Sequence, residues 1–361
     1  MVVRPIRDET ANRFNPFRVK YFREKFMSTT AESSSPFAAP VVDSLSIRVV
    51  VDSHYERFLP KASHASVAIE HTGEIPGRQM SALAGEWGLS LHLESVREGA
   101  RAQYLLDFGY TPEVLNRNLD LLDIDPGKIN GLVLSHGHRD HYGGLVGFVS
   151  QHRTRMRDDL SLYIGGETIF REKWLPGRAG TEPVSWGALD RTALTAQRVA
   201  PVCCGVPHAL DGPFTTGCIQ RTSFERVTGG TQVRYEHFTE KEKAGQLVSD
   251  EHADEQGTCY IVKGRGLVVI SSCGHTGIVN TVKTAMQVAN VNKLHAVIGG
   301  FHLGMAPPEY IRHTVDALAA LDPDVIIPMH CSGAPFIEEM RRRMPDRVVA
   351  NNLGSRFTFG V

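Results

Sequence analysis

Apolar residues along the chain fall into two recurring patterns, which together predict an α/β fold. Short runs rich in β-branched residues and leucine have the length of strands, whereas apolar residues three or four positions apart are typical of helices. We predict strands at residues 46–52, 89–93, 103–109, 131–135, 160–164, 259–262, 267–270, 296–298 and 325–328. We predict helices at residues 112–122, from 143 onwards, at 278–288 and at 308–321. Because strands and helices alternate, the pattern favours sheets covered by helices.

Two stretches of the chain lack these patterns. Residues 1–45 have no sustained periodicity and end in a Ser/Pro/Ala-rich segment, so we expect a weakly ordered extension before one folded domain at 46–361. Basic residues among positions 1–30 weakly resemble an organelle-targeting segment, but acidic residues there count against that interpretation. Residues 165–255 combine scattered Pro, Gly and charged residues, which predicts loops, short strands or a lid.

The charge balance and the cysteines narrow the function classes. With 39 basic and 40 acidic residues, the net charge is −1, which argues against a protein whose main role is to neutralise a nucleic-acid backbone. The six cysteines include no CxxC pair, so we expect reduced thiols and a cytoplasmic location. No apolar run reaches the roughly 18 residues of a membrane span, so no membrane association is expected. The sequence leaves open whether the protein forms a homo-oligomer.

Four side chains that can bind metals occur within six residues, directly after the predicted strand 131–135. The run reads His136-Gly137-His138-Arg139-Asp140-His141. Each imidazole or carboxylate would need a partner if buried, and a metal ion supplies one. In extended backbone, His136 and His138 can face the same side. Asp140 and His141, on the following turn, can face a position nearby, so the spacing can serve two adjacent metal ions.

This run, followed by Gly143-Gly144, resembles the HxHxDH signature of the metallo-β-lactamase superfamily. Asp107, at the end of an earlier predicted strand, matches an aspartate that orients ligands in that superfamily. Five further motifs resemble the dihydropterin-ribofuranosylaminobenzene-phosphate synthase-like branch. They are Gly88-Leu89-Ser90, Asp254-Glu255-Gln256, the segment CGHTGIVN at 273–280, Gly299-Gly300-Phe301-His302 and Pro328-Met329-His330-Cys331. The resemblance covers residues 46–361 and implies a catalytic domain with an αββα sandwich, two mixed β-sheets flanked by helices.

Position by position, the resemblance also implies a set of metal ligands. His136 and His138 are expected to hold one ion. Asp140 and His141 are expected to hold a second one. His330 matches the last metal-binding histidine of the superfamily.

His275 is the next candidate ligand, because it lies just beyond the predicted strand that ends at Ile270. Many members of the superfamily have a bridging aspartate near this point. This chain has Ser272 and Cys273 there instead. Without the bridging charge, we expect one tight ion and one weak ion, or a single ion.

Four other residues keep more than one interpretation. His302 is a candidate catalytic residue that contacts the substrate, with a metal ligand or a core histidine as the alternatives. His208 or His252 could complete the first metal site, although a surface histidine is the simpler expectation for each. Cys331, beside His330, is expected to pack rather than to bind metal.

A metal held by neutral imidazoles and one carboxylate lowers the pKa of bound water toward neutrality. We therefore predict a metal-dependent hydrolase that uses a metal-activated hydroxide, with Asp140 orienting the water and passing a proton to the leaving group. The expected partner is a small-molecule substrate: an ester, lactone, thioester, amide or phosphorylated metabolite, to which the resemblance adds a pterin-related phosphate. One or two divalent ions are expected, zinc first, with manganese or iron as alternatives.

Other function classes stay open. Superfamily relatives cut RNA or DNA with the same histidine loop, but only Arg341-Arg342-Arg343 forms a basic tract here, so nucleic acid is not the expected partner. A non-catalytic metal-binding sensor would keep the fold, although it would not require an intact run at 136–141. Oxidoreduction at a di-iron site, in its flavodoxin-linked version, would need a flavin-binding domain for which the sequence has no room.

Overall fold

The computed structural model describes residues 37–360 except 74, 76, 179 and 235–245. Its strands are β1 Val41–Val42, β2 Ser44–Val51, β3 Ala68–Glu70, β4 Ser90–Arg97, β5 Ala100–Leu106, β6 Gly131–Leu134, β7 Ser161–Ile164, β8 Lys173–Leu175, β9 Val184–Gly187, β10 Ala200–Cys203, β11 His208–Ala209, β12 Phe214–Thr215, β13 Gln232–Arg234, β14 Leu247–Ser249, β15 Thr258–Val262, β16 Gly266–Ser271, β17 Leu294–Gly299, β18 Val325–Pro328 and β19 Arg356–Phe359. Its α-helices are α1 Pro112–Leu121, α2 Arg139–Tyr142, α3 Leu145–His152, α4 Arg191–Ala196, α5 Ile278–Ala289, α6 Pro308–Ala320 and α7 Ala334–Arg343.

Most of these strands belong to two large sheets. The first sheet has eight strands in the order β10-β7-β6-β5-β4-β2-β19-β3, and the second has seven in the order β11-β12-β15-β16-β17-β18, with β1 beside β15. In the first sheet β5, β6, β7 and β10 run parallel, and the other pairs are antiparallel. In the second sheet β16, β17 and β18 run parallel. The prediction of two mixed sheets is confirmed.

Buried apolar side chains form two layers. One cluster lies between the sheets and combines Ile47 and Leu91 of the first sheet with Val268 and Ile298 of the second. A second cluster lies between the first sheet and helices α1 and α3, and it includes Leu105, Leu132, Leu115, Leu119, Leu145 and Phe148. Helix α5 packs on β16 of the second sheet. The layers therefore form the αββα sandwich that the resemblance to the superfamily implies.

Local sequence signals explain where helices begin and end. Helix α1 begins after Thr111, whose Oγ1 accepts the backbone N–H of Val114, and Pro112 fits the first helical position. Helix α5 ends at Ala289 and is followed by Asn290, which adopts the left-handed conformation common at helix C-termini. Among the helices of the described residues, none combines the length and the apolar character that a membrane span requires.

The structure differs from the sequence prediction in two places, at the start of the folded unit and within residues 165–255. The folded unit begins before residue 46, because Val41–Val42 pairs with Ile261–Val262; a two-residue strand carries no readable periodicity. The predicted weakly ordered extension falls mostly on residues 1–36, which lie outside the described residues. Within 165–255, short strands form a third sheet in the order β14-β13-β8-β9, which the sequence did not predict.

Candidate metal centre

The predicted metal ligands lie where strands of both sheets end. Residues 136–141 follow β6 of the first sheet. In the second sheet, His275, His302 and His330 follow β16, β17 and β18, and the carboxyl ends of parallel strands share one edge. The two edges meet, because His136 Nε2 lies 3.1 Å from His275 Nε2. The side chains of all six predicted ligands are buried.

These ligands form two adjacent sets. The first ligand group contains His136, His138 and His275, with ring centroids 4.6–4.7 Å apart. The second ligand group contains Asp140, His141 and His330. In it, Asp140 Oδ2 lies 3.7 Å from His141 Nε2 and 3.4 Å from His330 Nε2. The structure thus brings His136 and His138 together, and Asp140 and His141 together with His330, and it places His275 beside the first pair.

Hydrogen bonds fix which ring nitrogens face the centre. Ser135 Oγ donates to Asp107 Oδ2 at 2.8 Å, so it accepts from His136 Nδ1 at 2.9 Å. The Nδ1 of His275 lies 3.0 Å from the carbonyl oxygen of Thr228, which can only accept. Both Nδ1 atoms therefore carry the proton, and the two Nε2 atoms direct lone pairs at each other across 3.1 Å. A cation bound by both nitrogens would remove this repulsion.

The electrostatics of the first ligand group favour neutral rings. Burial, followed by repulsion from neighbouring imidazoles, holds the pKa values of His136, His138 and His275 well below their usual range. Neutral imidazole is the form that binds metal ions. The three rings are therefore ready to bind a metal at pH 7 without losing a proton.

Several buried polar atoms around the centre have no hydrogen-bond partner among the described residues. They are Asp140 Oδ1, His141 Nε2 and both ring nitrogens of His252 and His330. Leaving such atoms unpaired is costly in a protein interior. Imidazole nitrogen and carboxylate oxygen are donors that divalent transition-metal ions prefer. The residues present therefore fit a divalent metal.

A layer of polar residues behind the ligands holds them in place. Asp107 Oδ2 accepts the Nδ1 proton of His141 at 2.7 Å, which leaves His141 Nε2 facing the centre. Glu255 accepts the backbone N–H groups of His275 and Thr276 at 2.8 and 2.6 Å. Asp254 accepts the backbone N–H of Gly137 at 2.7 Å. Outer contacts of this kind orient ligands and raise metal affinity.

The Asp254-Glu255-Gln256 motif therefore has a structural explanation. Its first residue contacts the loop at 136–141, its second contacts the loop at 272–276, and Gln256 Nε2 donates to the carbonyl oxygen of Leu134 at 3.1 Å. One short turn thus connects the ligand loops of both sheets. The sequence marked the motif only as part of a resemblance, since consecutive polar residues give no sign of what they contact.

His252 is not the surface histidine expected from the sequence. It is 2% exposed, and its ring stacks on His275 with centroids 4.2 Å apart. Asp250, close to His138 and His252, accepts a hydrogen bond from the buried Lys173 at 2.7 Å. Sequence reasoning missed Lys173 and Asp250 because they lie in the stretch without periodicity. His208 lies on β11 beside Tyr163 and belongs to neither ligand group.

His302 contacts the centre from the side of a cavity. Its ring centroid lies 4.4 Å from that of His275, and its side chain lines a cavity of about 720 Å³. Gly229 lines the same cavity, and a β-carbon there would lie 2.7 Å from His275 Nδ1 and 2.9 Å from His252 Nε2. Only a glycine fits between the cavity and the histidines. The cavity therefore opens directly beside the centre.

Comparisons with known proteins agree with this architecture. A family model described as "Metallo-beta-lactamase superfamily" matches residues 96–155. The "7,8-dihydropterin-6-methyl-4-(beta-D-ribofuranosyl)-aminobenzene-5'-phosphate synthase" of Methanocaldococcus jannaschii is 31% identical over 272 residues, which cover 70% of this chain and 85% of the relative. The chain belongs to the metallo-β-lactamase superfamily. The resemblance to the synthase-like branch is thereby confirmed.

Two more relatives extend the comparison within the superfamily. "Uncharacterized protein MJ0448" of the same organism is 28% identical over 233 residues, covering 63% of this chain and 78% of that protein. The crystal structure of Tm1679, described as a metal-dependent hydrolase of the β-lactamase superfamily, matches with a TM-score of 0.63 and 22% identity. That match covers 86% of this chain and 98% of Tm1679, and it shows the shared fold.

Proposed function

We propose that the protein is a metal-dependent hydrolase whose ion or ions are held by the two ligand groups. The observation that carries this proposal is the contact of His136 Nε2 with His275 Nε2 at 3.1 Å, because each nitrogen directs a lone pair at the other. A divalent ion bound there, zinc first, would supply a Lewis acid that polarises the bond under attack and lowers the pKa of water. The six free cysteines support a reducing, cytoplasmic setting.

Asp140 is suited to orient a water molecule. Burial alone would raise its pKa, but His141 and His330 hold the pKa well below its usual range, so the carboxylate is charged at pH 7. Its Oδ1 is buried without a hydrogen-bond partner in the described chain. Such a weak base can orient a water molecule by accepting its hydrogen bond, but it holds a proton taken from that water poorly. Of the two roles predicted from the sequence, orientation of the water is therefore better supported than transfer of a proton to the leaving group.

The cavity beside His302 supports a substrate with a flat ring. Its wall includes the rings of Phe224 and Tyr310, 5.6 Å apart, and the fully exposed side chain of Met305. Exposed aromatic and thioether groups favour aromatic ligands. Arg226 lines the same cavity and can attract an anionic group.

The name of the synthase relative describes a compound that has both a pterin ring and a phosphate. We therefore propose that the substrate is a phosphorylated metabolite with an aromatic or pterin-like ring, in preference to a neutral ester, lactone, thioester or amide. The metal centre acts on the end of the substrate that reaches past Gly229, and the ring stacks on Phe224 and Tyr310.

The proposal is tested by metal analysis and a paired substrate screen. The metal content of the purified protein is measured by mass spectrometry, and one aromatic alcohol is offered as its phosphate monoester, phosphodiester and acetate. We expect chelator-sensitive turnover that is greatest for a phosphoester. Arg226→Met should lower turnover of the phosphoesters and not of the acetate, whereas Arg265→Met, at an exposed turn, should change neither. A metal-free protein, or turnover that survives both the chelator and His138→Ala, would overturn the proposal.

A further inference from the structure

A second type of ligand cluster lies next to the metal centre. The thiol cluster consists of Cys273, His302 and Cys331, which follow the parallel strands β16, β17 and β18. Cys331 and His302 belong to neither ligand group of the hydrolytic centre. Cys273 and Cys331 are 3% and 7% exposed, so their sulfur atoms face the interior.

The contacts within this cluster are closer than apolar packing requires. The two Sγ atoms are 3.2 Å apart, below the separation of about 3.5–4.0 Å that suits even two non-bonded carbon atoms. Cys273 Sγ lies 3.5 Å from His302 Nδ1, and the backbone N–H of His302 donates to Cys331 Sγ at 3.3 Å. Two sulfur atoms and one ring nitrogen thus converge on a common point.

Thiols bind zinc as thiolates, so an ion at this point would favour loss of the thiol protons of both Cys273 and Cys331.

The side chain of His302 gives the cluster access to solvent. It is only partly buried and lines the cavity of about 720 Å³ described above. An ion held by Cys273, His302 and Cys331 would have three protein ligands and one side open to this cavity. Zinc commonly binds three protein ligands of this type with a fourth position open.

We propose that Cys273, His302 and Cys331 form a separate, thiolate-rich site for one zinc ion, adjacent to the hydrolytic centre. Thiolate ligands select zinc over magnesium, calcium and manganese, whereas the carboxylate in the neighbouring ligand groups also suits manganese. Zinc binding releases the thiol protons of the two cysteines and involves no electron transfer. The sequence suggested that Cys331 only packs in the interior. In this proposal it binds metal instead.

Cadmium absorption tests the site independently of turnover. Reduced, metal-free protein is titrated with Cd²⁺ while thiolate-to-metal charge-transfer absorption is recorded, a signal to which imidazole and carboxylate ligands do not contribute. We expect one saturable band in the wild type. Cys273→Ser and Cys331→Ser should each lose about half of the band or more, and His302→Ala should weaken cadmium binding at least about tenfold. The matched control Cys218→Ser, at an exposed thiol outside the cluster, should keep the wild-type band.

The variants separate this site from its closest alternative. Cys273 also lies within ligand distance of His136 and His141, so Cys273 alone could join the hydrolytic centre. A band abolished by Cys273→Ser but unchanged in Cys331→Ser and His302→Ala would overturn the proposal. Absence of a band in the reduced wild-type protein would also overturn it, and this measurement does not depend on the folding of any variant. Far-UV circular dichroism verifies the fold of each variant.

Discussion

The two sheets contribute to the metal centre in different ways. The first sheet supplies four candidate ligands from one loop, residues 136–141, after a single strand. The second sheet supplies His275 and His330 from two separate strand ends. Asp107 and Ser135 support the first set, whereas Glu255 and two cysteines surround the second.

This difference shows which part of a site a sequence can reveal. A loop that carries several ligands within a few residues keeps its chemistry visible as a motif, and the family model matches only residues 96–155, which contain that loop. Ligands on separate strand ends converge only because β16, β17 and β18 run parallel and end at the same edge. The compact loop and the dispersed strand ends should therefore both be necessary for metal binding, although only the loop is recognisable as a motif in the sequence.

Removal of a histidine from the compact loop should have the largest effect. We expect His136→Ala and His138→Ala each to lower metal affinity more than about 100-fold, because losing a ligand costs more than losing an outer contact. Activity should fall accordingly, while far-UV circular dichroism stays near that of the wild type, since the loop lies beyond the ends of the core strands. Metal per chain is measured by mass spectrometry, with His208→Ala as the matched control. Normal metal content in both loop variants would refute the site assignment.

The supporting carboxylates of the two sheets should have smaller and similar effects. In Asp107→Asn, an NH2 group replaces one carboxylate oxygen, so the side chain is a poorer acceptor for the hydrogen bonds of Ser135 and His141. In Glu255→Gln, the same replacement removes one acceptor for the backbone N–H groups of the His275 loop. We expect each substitution to weaken metal binding about 10–100-fold. Competition with a chromogenic chelator gives both affinities. A large effect of Asp107→Asn with none of Glu255→Gln would show that the second sheet does not hold the ion.

Removal of residues 1–36 should have the smallest effect, because both ligand groups lie within residues 136–330. Metal content and melting temperature should stay close to those of the full chain. A longer deletion through Val42 should destabilise the protein by about 1.5–3 kcal/mol, because it removes a fully buried valine that pairs with β15. Thermal melting of the two truncated chains compares these effects. A large loss of activity from the shorter deletion would contradict the expectation.

The sequence predicted the features that depend on local patterns. Strand-length apolar runs gave the central strands of both large sheets, the resemblance to the superfamily implied their arrangement as two mixed sheets, and residues 136–141 marked the centre. His252 was assigned to the surface because a single histidine in an irregular segment gives no sign of its burial. The contacts of Asp254 and Glu255 were also out of reach, since each one joins loops more than a dozen residues away along the chain.

The central claim is that ligands from both sheets together hold the metal ions. The most direct test is calorimetric titration of the metal-free protein with manganese, which thiolate sites disfavour, so the thiol cluster does not contribute. Asp140 is the one carboxylate in the two ligand groups, and it leaves the repulsion between two ions only partly offset. We predict one tight and one weak binding event in the wild type, with His275→Ala lowering the metal content and His330→Ala chiefly removing the weak event. Two equally tight events in the wild type, or unchanged isotherms in both variants, would contradict this account.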